Sequence, residues 1–491
     1  MSTRIRSDLT MTGAYPEETR PAPPATRRRT KIVCTLGPAT TEPQTILELA
    51  ARGMDAARLN FSHGKHEEHL ARLQAVRAAQ ERLGRPLAVI ADLCGPKIRV
   101  ADFPGTRDVR TGELVTFCPP GSGEPDDIEV TFSQFPEVVD QGSTILIDDG
   151  KVRTRVVERD RSRIRARVEV GGTILPNKGV NLPNTNVPIP SLTEKDLADL
   201  DFIVQQDIDY VALSFVQTPQ DVEDLRDRLR VAGSDARTIA KVEKAEAVEN
   251  LDGIIEVADA VMVARGDLGV EMGVAKVPLI QKRMIASARE AGKTVITATQ
   301  MLESMIHAPE PTRAEAADVA NAIIDGTSAV MLSAETASGE FPLDAVRVMD
   351  TIAREVEPSM AVEHRGLEDA PILTVLTHSA CEIADEVDAP VIAVPTETGT
   401  TAREVSRFRP QRPIASASSD VLVLQQLALD WGVVPMAVPP AESIEETWTQ
   451  VVRGVRAARL ASTGDIIVIV SRMQTPIPGR TSHVAVHRLA D

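Results

Sequence analysis

The chain has 491 residues, more than one hydrophobic core usually organises, so we expect several domains. Its formal net charge of −17 argues against a nucleic acid or an anionic membrane as a partner. The four cysteines lack metal-ligand spacing, which predicts reduced thiols in a cytoplasmic protein, and no apolar run approaches the length of a membrane span.

The first part of the chain is predicted to alternate strands with helices. Residues 1–26 are rich in Thr, Pro and Arg without periodicity, which predicts a disordered tail. Strands are then predicted at 31–36, 57–61 and 87–93, with helices over 43–53 and up to about residue 83.

The alternation stops between residues 96 and 188. Short strands such as 114–117, 144–147 and 163–168 are separated by predicted turns at 149–150 and 171–172. Because a structureless loop of this length is uncommon, the pattern predicts an inserted small β-barrel domain.

The strand–helix alternation resumes with a helix capped near Ser191 or Thr193. Five further strands are predicted at 210–215, 237–243, 260–266, 294–300 and 329–335. Eight strand–helix units predict a (β/α)8 barrel over 27–95 and 189–362. A C-terminal α/β domain is predicted over 363–491, with strands at 391–395, 433–438, 466–471 and 483–488.

The carboxyl ends of the barrel strands should carry the functional residues, because active sites of such barrels lie there. The polar residues and glycine at these ends are Arg58, Asn60, Ser62, His63, Asp92, Ser214, Lys241, Glu243, Arg265, Gly266, Asp267, Thr299, Gln300, Ser333 and Glu335. Residues two apart in a strand share a face, so Lys241 and Glu243 should point the same way.

The carboxylates Glu243 and Asp267 suit Mg²⁺ or Mn²⁺, and the cations suit a phosphate. The pattern indicates metal-assisted chemistry on a phosphorylated, carboxylate-bearing small molecule. The alternative is a pair of salt-bridged strand ends at the surface.

Six segments together resemble the pyruvate kinase family, and the resemblance extends over about residues 28–490. These segments are 29–40, 57–64, 178–183, 263–271, 297–304 and 331–336. The resemblance implies a barrel, a lid-like β domain inserted after the third strand, a C-terminal α/β regulatory domain and a homotetramer.

The resemblance also implies roles for individual residues. Lys241, assisted by Arg58, would neutralise the transferring phosphoryl group, and Glu243 and Asp267 would hold Mg²⁺ or Mn²⁺. The residues implied to seat the substrate or protonate its enolate are Ser214, Gly266, Thr299, Ser333 and Glu335. Those implied to face the nucleotide are Pro38, His63, Arg99 and Lys178.

One segment departs from the commonest family pattern. Relatives that need potassium seat it among residues matching Asn60, Ser62 and Asp92, and carry a glutamate where this chain has Lys97. We therefore predict that the ammonium group of Lys97 replaces the ion and that K⁺ is not required. The alternative is that Lys97 points to solvent and the ion still binds.

A loop in the C-terminal domain has the composition of an anion site. Thr396, Thr398, Gly399, Thr400 and Thr401 lie between a strand and a helix, where hydroxyl and amide groups can bind one phosphate. The family places a phosphorylated effector here. Because Glu397 would repel a bisphosphate, a sugar monophosphate or AMP is the predicted activator. The alternative is a helix N-cap with additional threonines.

The sequence therefore predicts a cytoplasmic enzyme that converts phosphoenolpyruvate and ADP to pyruvate and ATP. Two rivals remain at this point. One is a Mg-dependent lyase or aldolase acting on a pyruvate-like enolate. The other is a regulatory homologue without catalytic activity.

Overall fold

The computed structural model describes residues 27–183, 185, 187, 189–360, 367, 370–473 and 481–490. The tail predicted for residues 1–26 lies outside this range. Within it, no helix is long and apolar enough to cross a membrane.

The first elements agree closely with the sequence analysis. They are β1 (Lys31–Leu36), α1 (Pro43–Ala51), β2 (Ala56–Asn60), α2 (His66–Leu83) and β3 (Ala88–Asp92). Helix α2 ends at Gly84, whose φ of 63° lies in the left-handed region that glycine adopts at low cost.

The segment that follows β3 is built from short strands. Its elements are β4 (Arg107–Val109), β5 (Leu114–Cys118), β6 (Ile128–Glu129), α3 (Phe135–Val138), β7 (Thr144–Ile147), β8 (Val152–Arg159), β9 (Ile164–Val170), β10 (Gly172–Ile174) and β11 (Val180–Asn181). They form a six-stranded sheet in the order β11-β7-β8-β9-β5-β6 and a two-stranded sheet of β10 and β4. The turn predicted at 171–172 is wrong in part, because Gly172 already pairs with Val109.

The remaining barrel elements follow without interruption. They are α4 (Glu194–Ile203), β12 (Tyr210–Leu213), α5 (Pro219–Val231), β13 (Arg237–Val242), α6 (Ala245–Glu249), α7 (Leu251–Val257), β14 (Ala260–Ala264), α8 (Arg265–Met272), α9 (Val277–Glu290), β15 (Thr294–Ala298), α10 (Arg313–Ile324), β16 (Ala329–Leu332), α11 (Ala334–Ala337) and α12 (Pro342–Val356). Thr193, not Ser191, caps α4, because its side chain accepts a hydrogen bond from the backbone N–H of Asp196.

Eight parallel strands close the barrel in the order β1-β16-β15-β14-β13-β12-β3-β2. Several strands end two or three residues earlier than predicted. Thr299 and Gln300 show why, because their φ angles of 68° and 54° take the backbone out of the extended conformation directly after β15.

The C-terminal segment forms a second α/β layer. Its elements are α13 (Ile372–Glu386), β17 (Ile392–Pro395), α14 (Thr400–Ser406), β18 (Ile414–Ser418), α15 (Val421–Leu427), β19 (Val433–Ala437), α16 (Ile444–Ala457), β20 (Ile466–Met473) and β21 (Thr481–Arg488). The sheet order is β19-β18-β17-β20-β21, with β21 antiparallel to β20. Strand β18 is absent from the sequence analysis. Its small residues gave no β signal, yet all five are buried.

The C-terminal segment seals the amino end of the barrel. Ala428 and Leu429, which follow α15, belong to the same buried cluster as the interior residues Val33, Ile90 and Ile239. Tyr210, at the start of β12, donates a hydrogen bond to the carbonyl of Gln426 at 2.9 Å. The opposite, carboxyl end is therefore the one left for a site.

Candidate active site

The interior face of the barrel strands changes from apolar to polar at the carboxyl end. The interior apolar residues of five strands are Val33, Ala56, Ile90, Ala212 and Ile239. Because side chains two apart point the same way, the next interior positions are Thr35, Arg58, Asp92, Ser214 and Lys241. The alternation of side chains along each strand thus places these five polar residues, one from each strand, in one layer, which we call the polar layer.

Lys241 is the centre of this layer. Its Nζ lies 2.8 Å from Glu243 Oε1 and 3.3 Å from Asp92 Oδ1, and it donates a hydrogen bond to Ser214 Oγ at 2.7 Å. Burial lowers the pKa of an ammonium group, but the carboxylates of Asp92 and Glu243 outweigh this and raise the pKa of Lys241 above its ordinary value. The group therefore stays charged.

Arg58 provides a second cation next to Asp92. Its Nε donates to Asp92 Oδ2 at 2.6 Å, and its Nη1 donates to Thr35 Oγ1 at 3.0 Å. Burial alone would raise the pKa of Asp92, but Lys241 and Arg58 hold it below its usual value. One buried carboxylate thus positions two cations at the mouth of the barrel.

Glu243 and Asp267 have the donor set of a magnesium site. Burial raises the pKa of Glu243, and the negative charge of Asp267 raises it further, against the opposing effect of Lys241. No group of three or more His, Cys, Asp or Glu side chains is placed to hold a metal ion among the described residues. Mg²⁺ commonly takes one or two carboxylates and completes its shell with water and substrate phosphate, so this mutually repelling pair fits it.

The turn after β15 brings Thr299 to the start of α8. The N–H of Gly266 donates to Thr299 Oγ1 at 2.8 Å. We expected Arg265 to be a phosphate-binding cation, but its guanidinium donates to the carbonyl of Thr299 at 2.7 Å and pairs with Asp318 at 2.7 Å. Arg265 therefore holds the turn, and its role was assigned wrongly from its place at a strand end.

Ser333 and Glu335 lie together after β16. The carboxylate of Glu335 accepts from the N–H of Ser333 at 2.7 Å and from the N–H of Leu302 at 3.1 Å. The buried hydroxyl of Ser333 has no hydrogen-bond partner within the described structure. The carboxylate is thus occupied by backbone, whereas the serine hydroxyl is available.

The four expected nucleotide residues are not joined to one another by hydrogen bonds in the described structure. Pro38 is exposed, Arg99 donates to the carbonyl of Asn177 at 3.0 Å, and Lys178 pairs with Asp148 at 3.1 Å. Partial burial, followed by the charges of Arg99 and Lys97, lowers the pKa of His63.

Lys97 lies close to the carboxylate pair. Its Nζ is 3.7 Å from Asp267 Oδ1, which is its one ion pair among the described residues. Asn60 Oδ1 accepts from the N–H of Ser62 at 3.1 Å, and the carboxylate of Asp92 is taken by Arg58 and Lys241. The described contacts thus connect Lys97 with Asp267 and do not connect it with Asn60, Ser62 or Asp92.

The threonine loop before α14 is closed by internal bonds. The N–H of Gly399 donates to Thr396 Oγ1 at 2.9 Å, and the hydroxyls of Thr398 and Thr400 are 3.0 Å apart. Arg403, which the sequence analysis missed, donates to the carbonyl of Thr398 at 3.0 Å. A signal was present, since Arg403 lies one helical turn after Gly399.

Comparison with known proteins agrees with this geometry. Residues 27–346 match the family described as pyruvate kinase, barrel domain, and residues 374–487 match pyruvate kinase, alpha/beta domain. The pyruvate kinase of Corynebacterium glutamicum is 41% identical over 466 residues, which cover 94% of this chain and 98% of that protein. The pyruvate kinase of Mycobacterium intracellulare is 42% identical over 474 residues, or 94% and 99%. That of Geobacillus stearothermophilus is 41% identical over 477 residues, or 95% and 81%. With both family matches and these identities over nearly its whole length, the chain belongs to the pyruvate kinase family of phosphotransferases.

Proposed function

We propose that the enzyme transfers the phosphoryl group of phosphoenolpyruvate to ADP, giving pyruvate and ATP. The observation that carries this is the polar layer at the barrel mouth, where the buried carboxylate of Asp92 pairs with both Arg58 and Lys241. Phosphoryl transfer depends mainly on positioning and charge stabilisation, and this layer provides both.

In this reaction the P–O bond to the enol oxygen breaks, and a new P–O bond forms to a terminal phosphate oxygen of ADP. Lys241 neutralises negative charge on the phosphoryl oxygens, while Glu243 and Asp92 keep its ammonium group protonated and oriented. Arg58 assists from the neighbouring strand. Ser214 is one acceptor of the Lys241 ammonium and fixes its direction.

The substrate carboxylate is proposed to lie at the N–H of Gly266 and the hydroxyl of Thr299. The released enolate must gain a proton at its methylene carbon. We assign this proton delivery to water held by Thr299 and Ser333, because the Ser333 hydroxyl has no other partner in the described structure. Glu335 positions Ser333 through the backbone.

Glu243 and Asp267 are proposed to hold Mg²⁺, or Mn²⁺ in its place. When bound, the ion would supply Lewis-acid stabilisation of negative charge on the phosphoryl group. Pro38, His63, Arg99 and Lys178 are proposed to face the nucleotide.

A coupled assay tests the activity. ATP and pyruvate should form in equal amounts from phosphoenolpyruvate and ADP when Mg²⁺ is present. Carbon–carbon cleavage without ATP formation would favour the lyase or aldolase, and the absence of any turnover would favour a non-catalytic homologue.

We propose further that the enzyme does not need K⁺, with Lys97 supplying the positive charge. The support is an ammonium group 3.7 Å from Asp267, beside the carboxylate pair. A potassium ion seated about 4 Å from that ammonium would be repelled by roughly 4 kcal/mol at an effective dielectric near 20. Activity in a buffer free of K⁺ and NH₄⁺, with tetramethylammonium holding ionic strength, should be nearly full. Large stimulation by added K⁺ would contradict this.

Regulation is proposed at the loop formed by Thr396, Thr398, Gly399, Thr400 and Thr401. Arg403 donates to the carbonyl of Thr398 and is paired with Asp430 at 3.0 Å, so the hydroxyl and amide groups of the loop are the donors proposed for one phosphate of a sugar monophosphate or AMP. Activity titrated with AMP, glucose 6-phosphate and fructose 1,6-bisphosphate tests this. Activation by the bisphosphate alone would refute it.

The domain organisation proposed is a barrel over 27–95 and 189–362, a lid over 96–188 and a regulatory domain over 363–491. A homotetramer working in the cytoplasm is the proposed assembly. Light scattering on the purified protein tests the tetramer, and a monomeric or dimeric mass would contradict it.

A further inference from the structure

A cavity of about 670 Å³ lies where the barrel helices meet the C-terminal segment, away from both sites described above. Four arginines line it: Arg29, Arg289, Arg407 and Arg409. Its apolar wall includes Phe408 and Trp431. The volume is that of a typical small-molecule site.

The charge of this cavity is positive because its carboxylates are fewer than its guanidinium groups. Glu290 and Glu404 are the acidic residues that line it, and Glu404 already pairs with Arg407 at 3.2 Å. Arg29 pairs with Glu357 at 3.3 Å. Arg409, unlike Arg29 and Arg407, makes no ion pair with a carboxylate among the described residues.

Arg409 is 7% exposed and has no ion pair with a carboxylate in the described part of the chain. Its Nη1 and Nη2 donate to neutral acceptors, which include the carbonyls of Ser406 and Gly326 at 2.9 and 3.0 Å. Its buried Nε has no hydrogen-bond partner there. Burial, followed by repulsion from Arg289, lowers the pKa of Arg409 to about 9.

Trp431 provides a second buried donor without a partner. It is 1% exposed, and its indole Nε1 makes no hydrogen bond within the described structure. The guanidinium carbon of Arg409 lies 4.9 Å from the ring centroid, and that of Arg29 lies 5.4 Å from it. Two cations therefore lie over the ring of Trp431, and both Trp431 and Arg409 have a buried N–H group without a partner in the described structure.

A structural role accounts for part of this arrangement. Ser406 ends α14 and Gly326 follows α10, so Arg409 caps the negative ends of two helices. These contacts satisfy Nη1 and Nη2 but leave the Nε of Arg409 and the Nε1 of Trp431 without acceptors. Asp430 and Glu357 lie close enough to favour the charged form of Arg409, but neither forms an ion pair with it in the described structure, and an anion supplied from solution would offset the remaining cost of burial.

We propose that this cavity binds a small organic molecule through an oxyanion, either phosphate or carboxylate, with Arg409, Trp431 and Arg407 as its main contacts. The apolar wall at Phe408 receives the body of the molecule. The cavity lies at the carboxyl end of α14, whereas the threonine loop lies at the amino end, so the two are separate sites on one helix.

Trp431 makes a direct test possible, because the chain has only two tryptophans. A Trp448→Phe background leaves Trp431 as the single reporter. Its fluorescence is titrated with inorganic phosphate and, separately, with acetate, with sodium chloride holding ionic strength. We expect a saturable change with a Kd of about 1 mM or tighter for the matching oxyanion. The stronger of the two responses identifies the chemical class.

Arg409→Met should weaken this response at least tenfold, and Arg407→Met at least threefold. The matched control is Arg412→Met, because Arg412 is a nearby arginine that pairs with Asp385 and Asp388 outside the cavity. If Arg409→Met fails to fold, the Arg407→Met titration decides the outcome.

Three results would overturn the proposal. One is a wild-type response that does not saturate. Another is a normal response in Arg407→Met, or in Arg409→Met with only its melting temperature lowered, which would show helix capping alone. The last is a response abolished by Thr398→Ala combined with Thr400→Ala, which would place the anion at the threonine loop.

Discussion

Two buried lysines lie on barrel strands at opposite ends of the barrel, and their surroundings differ. Lys31, at the amino end of β1, donates to the carbonyl of Val433 at 2.7 Å, and burial lowers its pKa to about 8. Lys241, at the carboxyl end of β13, has two carboxylates that raise its pKa despite burial. Burial therefore destabilises the charged form of Lys31, whereas neighbouring carboxylates stabilise the charged form of Lys241.

The two ends of the barrel differ in the same way. Contacts at the amino end stabilise the fold, whereas the carboxyl end carries the charged groups proposed for catalysis. At the amino end, Lys31, Tyr210 and Thr294 find partners in the C-terminal segment, and Leu429 closes the apolar interior. At the carboxyl end, charged groups pair mainly with one another. The ion pairs at the carboxyl end can be exchanged for contacts with a substrate. The amino end cannot make such contacts, because the C-terminal segment covers it.

The largest effect on turnover is expected from Lys241→Met. The ammonium meets charge that develops during transfer, so kcat should fall by about 10²-fold or more while KM changes little. Steady-state kinetics with varied phosphoenolpyruvate measure both constants. A change confined to KM would show that Lys241 serves binding alone.

Asp267→Asn should have the next largest effect. Removing one of two carboxylates should raise the Mg²⁺ concentration for half-maximal activity by about tenfold or more, equivalent to about 1.4 kcal/mol. Titrating activity with Mg²⁺ tests this, and Asp344→Asn is the control because Asp344 pairs with Arg347 at the surface and is not part of the carboxylate pair. Unchanged turnover at low Mg²⁺ would remove Asp267 from the metal site.

Leu429→Ala should leave turnover close to that of the wild type but reduce the free energy of unfolding. Leu429 is fully buried in the barrel interior, and a large-to-small change there costs about 2–5 kcal/mol. Denaturant unfolding and kinetics on the same preparation test this prediction. A large loss of kcat in protein that remains folded would mean that the amino end also takes part in catalysis.

The smallest effect concerns pH. The folded pKa of Lys31 is about 8, below its unfolded value of 10.5. Between these values the unfolded chain binds more protons, so the contribution of Lys31 to stability rises with pH. The free energy of unfolding of the wild type, minus that of Lys31→Met, should therefore increase from pH 8 to pH 10. A flat or falling difference would mean that Lys31 is charged in the folded protein throughout.

Much of the barrel could be predicted because its strands are apolar runs separated by helical patterns. The first strand was predicted without error, whereas β18 was missed because its alanines and serines have low β propensity. Strand β18 is buried by its neighbours in the sheet. A local sequence pattern carries no information about these neighbours, because they are distant in the sequence.

The site could be predicted where strand parity determines it. Lys241 and Glu243 lie two apart on one strand, and their amine and carboxylate are in contact in the structure. The role of Arg265 could not be predicted in this way, because its partner Asp318 lies 53 residues away. The same limit applies to Arg409, whose acceptor Gly326 lies 83 residues away.

The most direct test of the division between the two ends is the turnover of Lys241→Met against that of Lys31→Met. The substitution is the same, both lysines are buried, and both lie on barrel strands. Our account predicts that at saturating substrate kcat falls about 10²-fold or more for Lys241→Met and stays within about twofold of wild type for Lys31→Met. Similar losses in both variants, or a larger loss for Lys31→Met, would contradict it.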